Sequence, residues 1–334
     1  MSFTAGTTAL ASDFVSTSAG AGDSGKVAKL NASGKIDTSF LKFGGTGADG
    51  ALSITSGTTT IDCANAAVVV KNYTSISITG TGKLAFSNPN NFGTIIIIKS
   101  QGNVTLTSSS TPMIDASGMG ALGATGDSKS TSGTGVSNLG TVGRGLSFVT
   151  TNIGTATTRS GVATTVTGAD GGIATLDVAN SVNNIARFKY WTLTPSSGSA
   201  AGIPYHNSGT FAVTGGNGGR GGGCLVIECG GAWNFTTTNG ISVAGGVGGD
   251  ATTAGSDASA WGAEGGAGGA GGMFIGLYST LTANSGTVNV SVGANGANVS
   301  GGSPTWVAGT ITKGASILGT TTGLSLIAEN TEFC

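Results

Sequence analysis

The sequence predicts an all-β protein: a solenoid-like, β-helix-type body threaded by polyglycine-II segments. Three observations predict it. Glycines recur on a threefold beat, short apolar strands follow one another closely, and a unit of strand, turn, strand, strand and glycine triplets repeats along the chain. The 334 residues include 63 glycines and only 9% charged side chains, far from the usual proportions of a globular domain. Glycine and proline together make roughly a fifth of the chain, below the range that signals plain disorder. A mean hydropathy of +0.22 also argues for a packed chain.

The beat is clearest at residues 215–223, which read GGN, GGR, GGG. It returns at 245–250 (GGV, GGD), 265–273 (GGA, GGA, GGM) and 293–298 (GAN, GAN), and more weakly at 120–128 (GAL, GAT, GDS). Three is the period of the left-handed polyproline-II helix, which forms no hydrogen bonds within itself. GGX then puts every X on one edge and leaves bare backbone on the other two. The expected packing positions are Gly215, Gly216, Gly218, Gly219, Gly245, Gly246, Gly248, Gly249, Gly265, Gly266, Gly268 and Gly269, where a Cβ would hold neighbouring backbones apart. Ordering a nine-residue run costs roughly 9–18 kcal/mol, and each backbone hydrogen bond returns only about 1 kcal/mol net. The runs must therefore lie side by side against something apolar.

In chain order, residues 1–45 stand apart, with Lys26, Lys29, Lys35 and Lys42 beside Asp13, Asp23 and Asp37. An extended piece is expected at 27–30, a turn at Ser33-Gly34, and an apolar anchor at Ile36, Phe40, Leu41 and Phe43. The run GDSGKVAKLNASGKIDTSFL resembles an element near the N-termini of phage tail-fibre and tail-appendage proteins. That resemblance implies attachment to a virion through residues 1–45, with other tail or baseplate proteins as partners.

Residues 46–125 form the strand-rich first part of the body. Strands are expected at 51–55, 58–62, 67–71, 75–79, 83–87, 94–99, 103–107 and 112–116, punctuated by Gly57, Gly80, Gly82, Pro89 and Gly102. The repeat selects a solenoid. Ile95 to Ile98, Leu225 to Ile227 and Phe274 to Leu277 each open one unit, and each unit ends in triplets. A single unit cannot bury its apolar face, whereas stacked units share a core. Residues 126–214 interrupt the rhythm with a Ser/Thr/Gly-rich arm and a locally basic stretch, read as an insertion or lateral subdomain. Residues 215–334 are read as the glycine-triplet and strand repeats. Their alternation with polar and aromatic segments, such as 252–264, is similar to the distal tail-fibre adhesins of T-even-type phages. This implies a polyglycine-II sandwich with receptor-binding loops at its tip.

Chemistry-bearing motifs fail individually. GDSG at 22–25 lacks a base, since His206 is the only histidine and is expected in a loop. Residues 20–26 fit GxxxxGK, but Val27 replaces the magnesium-binding hydroxyl and no buried strand precedes it. GxGxxG at 266–271 has no βαβ context. GGVGGDAT (245–252) and GGTGADGA (44–51) approach a calcium repeat, yet such sites need tandem copies, so no metal or cofactor is expected. Asp250, Asp257 and Glu264 cluster in sequence, and solvated loop acids are the preferred reading over a glycosidase pair. Cys224 and Cys229 are expected on opposite faces of one strand, Cys63 in the core and Cys334 in a tail.

The aromatics are the better lead. Trp261 and Trp306 lie in glycine-rich loops, either as exposed anchors for sugar faces or as caps on the core. Arg187, Tyr190 and Trp191 form a second patch, or the insertion's own small core. A net charge of −1 gives no attraction to nucleic acid or anionic membrane. No basic leader and no transmembrane run are read. The expected function is a non-enzymatic structural and adhesive virion protein. It would be a tail-fibre appendage, extracellular after release, binding a host glycan or protein, and homo-oligomeric with a trimer favoured. The alternatives are a cellular surface adhesin or filament-forming protein, and a tail-spike depolymerase.

Overall fold

The computed structural model describes residues 14–15, 26–30, 43–130, 133–134, 166–167, 193, 195–207, 211–302, 306–307 and 322–329. The expected turn at Ser33-Gly34, the anchor residues Ile36, Phe40 and Leu41, and Arg187, Tyr190, Trp191 and Cys334 lie outside them. All regular structure among the described residues is β.

In chain order the strands are β1 (Phe14–Val15), β2 (Val27–Ala28), β3 (Ala51–Ile54), β4 (Thr58–Asp62), β5 (Val68–Tyr73), β6 (Ser75–Ile78), β7 (Lys83–Ser87) and β8 (Ile95–Ser100). There follow β9 (Val104–Leu106), β10 (Ile114–Asp115), β11 (Ser128–Lys129), β12 (Gly133–Thr134), β13 (Val166–Thr167), β14 (Pro204–His206), β15 (Val213–Thr214) and β16 (Cys224–Phe235). The last are β17 (Ile241–Ser242), β18 (Thr252–Thr253), β19 (Trp261–Ala263), β20 (Met273–Asn284), β21 (Val288–Asn289), β22 (Val299–Gly301), β23 (Trp306–Val307) and β24 (Leu324–Glu329).

Three parallel ladders carry the body. One runs β5-β8-β16-β20-β24 through the first halves of β16 and β20. A second runs β3-β6-β9 and on through their second halves. The third is β4-β7-β10-β17-β21. The alternation of each strand explains why these sequences pair: in β8, Ile96 and Ile98 are buried while Ile95 and Ile97 face the other way. Leu52, Ile78, Leu84, Ile98, Leu106, Leu225, Trp233, Phe235 and Phe274 share one core. The repeat read from the sequence is a register: Leu225 opposes Phe274, and the neighbouring pair Cys224 and Met273 lies 49 positions apart.

Strands β4 and β7 match their expected bounds, and the others differ at their ends by one to two residues. Cys224 and Cys229 do face opposite sides, one in an outer apolar cluster and the other in the main core, which also buries Cys63.

Six glycine- and alanine-rich segments outside the strands lie side by side, at 120–127, 196–202, 215–223, 245–251, 264–272 and 293–298. Their hydrogen bonds step by three. Gly215, Gly218 and Gly221 donate to the carbonyls of Asp127, Ala124 and Ala121, while Gly216, Gly219 and Gly222 donate to those of Glu264, Ala267 and Ala270. The carbonyls of Gly216, Gly219 and Gly222 accept from Gly202, Ser199 and Ser196, and those of Asn217 and Arg220 from Gly249 and Gly246. These neighbours resolve into two layers, 120–127 beside 215–223 beside 245–251, and 196–202 beside 264–272 beside 293–298. Segment 196–202, which the sequence reading placed within the insertion, is thus a member of the second layer.

The glycines serve proximity, not unusual dihedrals. None of the twelve expected packing positions has a positive φ. A Cβ on Gly219, Gly245, Gly266 or Gly269 would come closer than 3.0 Å to main-chain atoms of a neighbouring segment. Gly246 and Gly249 have slightly more room, with main-chain atoms at 3.2 and 3.1 Å.

Candidate functional site

Each of these segments has a β-strand at its far end. Segments 120–127, 215–223 and 245–251 adjoin β11, β15 and β18, which pair antiparallel in that same order. Segments 196–202, 264–272 and 293–298 adjoin β14, β19 and β22, again paired in order, with β12 added outside β14. The two layers therefore continue into two small sheets. Val213, Ala251, Trp261 and Ala263, with Phe211 and Val299, fill the space between them. Residues 254–260 follow β18 at this end, with Ala254, Ser256 and Ala258 exposed, as is Asn207 after β14.

Trp261 requires a correction. Its glycine-rich setting suggested an exposed anchor, but it is only 7% exposed and sits on β19. Its ring meets Phe211 edge-on at 5.3 Å between centroids, and its six-membered edge lies against Gly301, where a Cβ would collide. It does not cap the main core either: its indole packs in a separate small cluster with Val213, Ala251 and Ala263, between the two short sheets. Of Trp306 only the backbone is described, paired with Val166.

His206 also differs from expectation. It lies on β14 opposite Trp261, not in a loop, and is fully buried. Phe211 meets its ring edge-on at 4.5 Å. Its Nε2 lies 3.9 Å from Asp257 Oδ2, outside hydrogen-bond range. Among the described residues, both ring nitrogens of His206 and the Trp261 Nε1 are buried without a hydrogen-bond partner. Among the described residues no hydroxyl engages the imidazole, so they form no Ser-His-Asp constellation.

The three acids that cluster in sequence make different contacts. Asp257 Oδ1 caps the Ser259 N–H, Asp250 Oδ1 accepts from Ala297 N–H at 2.7 Å, and Glu264 is buried near Ile203 N–H. Asp49, in the other calcium-like stretch, accepts from Asn72 N–H and pairs with Lys71. Among the described residues no three metal-ligating side chains come together.

Sequence reasoning missed Arg220, the X of the second triplet. Its guanidinium donates to the carbonyls of Gly118, Gly120 and Asn90, tying the glycine segments to the body loop. Half-burial lowers its pKa from the usual guanidinium value, since desolvation disfavours the charge. Asn217, Asn295 and Asn298 act similarly at segment edges, accepting from Gly126, Gly268 and Gly265 N–H. The signal was a polar X repeating beside glycine pairs, which reads as solvated until its neighbours are known. Comparison with protein-family models, curated proteins and solved structures found no match to this chain.

Proposed function

We propose that this protein is a structural, receptor-binding appendage of a phage virion. In this reading the three parallel ladders wind as one solenoid-like stack, and the glycine segments are polyglycine-II helices forming a stiff two-layered arm. Residues 1–45 join tail or baseplate proteins, and the turns at the arm's far end meet a host glycan or protein. The observation that carries it is the continuity of each glycine layer with a small sheet, beyond which residues 254–260 join β18 of one sheet to β19 of the other. Such an arrangement holds short loops far from the body on a scaffold that costs few side chains, which suits adhesion.

Exchanging Ala254, Ser256 and Ala258 for bulky residues should abolish adsorption of the particle to its host while leaving the melting temperature unchanged. Adsorption at the original rate would reject the site. Soluble protein competing with particles for host cells would support the adhesive role, and lack of competition would count against it.

A further inference from the structure

The two ends of the body are built to receive each other. We propose that copies of this chain stack head to tail, the β24 end of one on the β3, β4 and β5 end of the next. This rests on the solenoid-like reading above, and goes beyond it by naming the partner as a second copy.

The first argument is winding order. The chain visits the ladders in a constant sequence, β3, β4, β5, then β6, β7, β8, then β9 and β10. The last described strand, β24, lies on the ladder of β5. The next position in the winding is the ladder of β3, where a following copy begins. Every ladder is parallel, so both ends share one polarity. A translated copy therefore continues all three, whereas a twofold-related copy would meet them with the wrong polarity.

The second argument is which main-chain groups remain open. Parallel ladder bonds alternate along a strand. Ile95 N–H donates to Ala67 O and Gln101 N–H to Tyr73 O, so residues 67, 69, 71 and 73 face β8 and those of Val68 and Val70 face away. Asn72 also faces away, but Asp49 engages both its groups, accepting its N–H at 2.6 Å and donating to its carbonyl. At the other end Leu324 N–H donates to Gly272 O, which leaves the groups of Ser325 and Ile327 open. A residue in a parallel pair bonds the two neighbours of the residue opposite. Ser325 placed opposite Val69 would thus engage Val68 and Val70 of the next copy. That register also keeps Ile327 and Val69 on the same side, and both pack against the main core.

The third argument is exposed core. Leu281 is the register partner of Trp233. Trp233 is fully buried, whereas Leu281, one rung further out, is 50% exposed, and Val288, Val290 and Ile327, packed against the main core, are only partly buried. Val68 and Val70 are 50% and 47% exposed at the opposite end, with the Lys71–Asp49 pair on the rim. Unprotected apolar edges of this kind pair with further strands, and a heterologous contact that does not close gives a filament.

The test uses the full chain. Light scattering and electron microscopy should show linear assemblies that lengthen with protein concentration. Val70→Pro removes an N–H that faces away from β8, a place where an edge strand tolerates proline. Leu281→Lys puts a charge on the opposite end. Each variant alone should raise the concentration for half-assembly at least about tenfold. Mixed one to one, they should form dimers and nothing longer, because one intact end of each kind remains. Wild-type protein that stays monomeric at high concentration, or either variant that assembles like the wild type, overturns the proposal. If Val70→Pro fails to fold, Val68→Lys serves the same end with the same expected outcomes. Amide exchange of the monomeric variants separates the two readings: protection retained in β8, β16 and β20 upholds the stack even where assembly fails.

Discussion

A methyl group is enough to measure the glycine packing. Gly219 and Gly269 face main chain on their crowded sides, so the backbone itself must move to admit a Cβ. Gly219→Ala or Gly269→Ala should cost about 1–3 kcal/mol, as overpacking usually does, read as a lower melting temperature. Val247→Ala in the same layer, at a position 66% exposed, should change it little. Trp261→Ala should cost about 3–5 kcal/mol through the cavity it leaves. It therefore makes a poor probe of binding, because lost adsorption and a loosened tip would coincide. Burial pushes the thiols of Cys63 and Cys229 up, with Asp62 adding to the effect at Cys63. Both should react slowly with a thiol reagent near neutral pH until the protein unfolds, and rapid reaction of the native protein would contradict their core placement.

The segments next to the parallel ladders carry their own electrostatics. Asp49 holds the end of β5 by accepting Asn72 N–H, and that hydrogen bond, with Lys71 nearby, draws its carboxyl below the usual aspartate value. A depressed folded-state pKa contributes stability above the unfolded value, and that contribution is lost as pH falls through the folded one. Acidification below about pH 4 should therefore release this corner before the core unfolds. Asp49→Asn should remove that pH dependence, as read by amide exchange at Asn72. Arg220 is the corresponding device in the glycine layers. Lysine cannot reproduce a fork to three carbonyls, so Arg220→Lys should destabilise by about 1–3 kcal/mol, measured by denaturant unfolding.

At the scale of the molecule, each glycine layer leads into a small sheet, and the proposed adhesion belongs to residues 254–260 beyond β18. Loop exchange at 254–258 should change host adsorption without changing the assembly of the chain, whereas Val70→Pro should change assembly and spare adsorption by the single arm. The strand-rich body was legible because apolar alternation in β3, β6, β7 and β8 is a local property of each strand. The twelve glycine positions were legible for the same reason, since a threefold beat follows from backbone sterics alone. The tip was not. Trp261 stands between Ala260 and Gly262 and His206 between Tyr205 and Asn207, and nothing adjacent in sequence foretells the opposing sheet that buries them.

By itself the sequence determined the periods: two for the strands, three for the glycine runs, and a repeat that recurs as a ladder register. Only the tertiary structure decided who neighbours whom, as where Ala232 meets Asn103 across 129 positions or segment 196–202 enters the second layer. The physical reason is that steric period is set within a few residues. Contact partners are set by which surfaces close over one another, and chain separation constrains those only weakly.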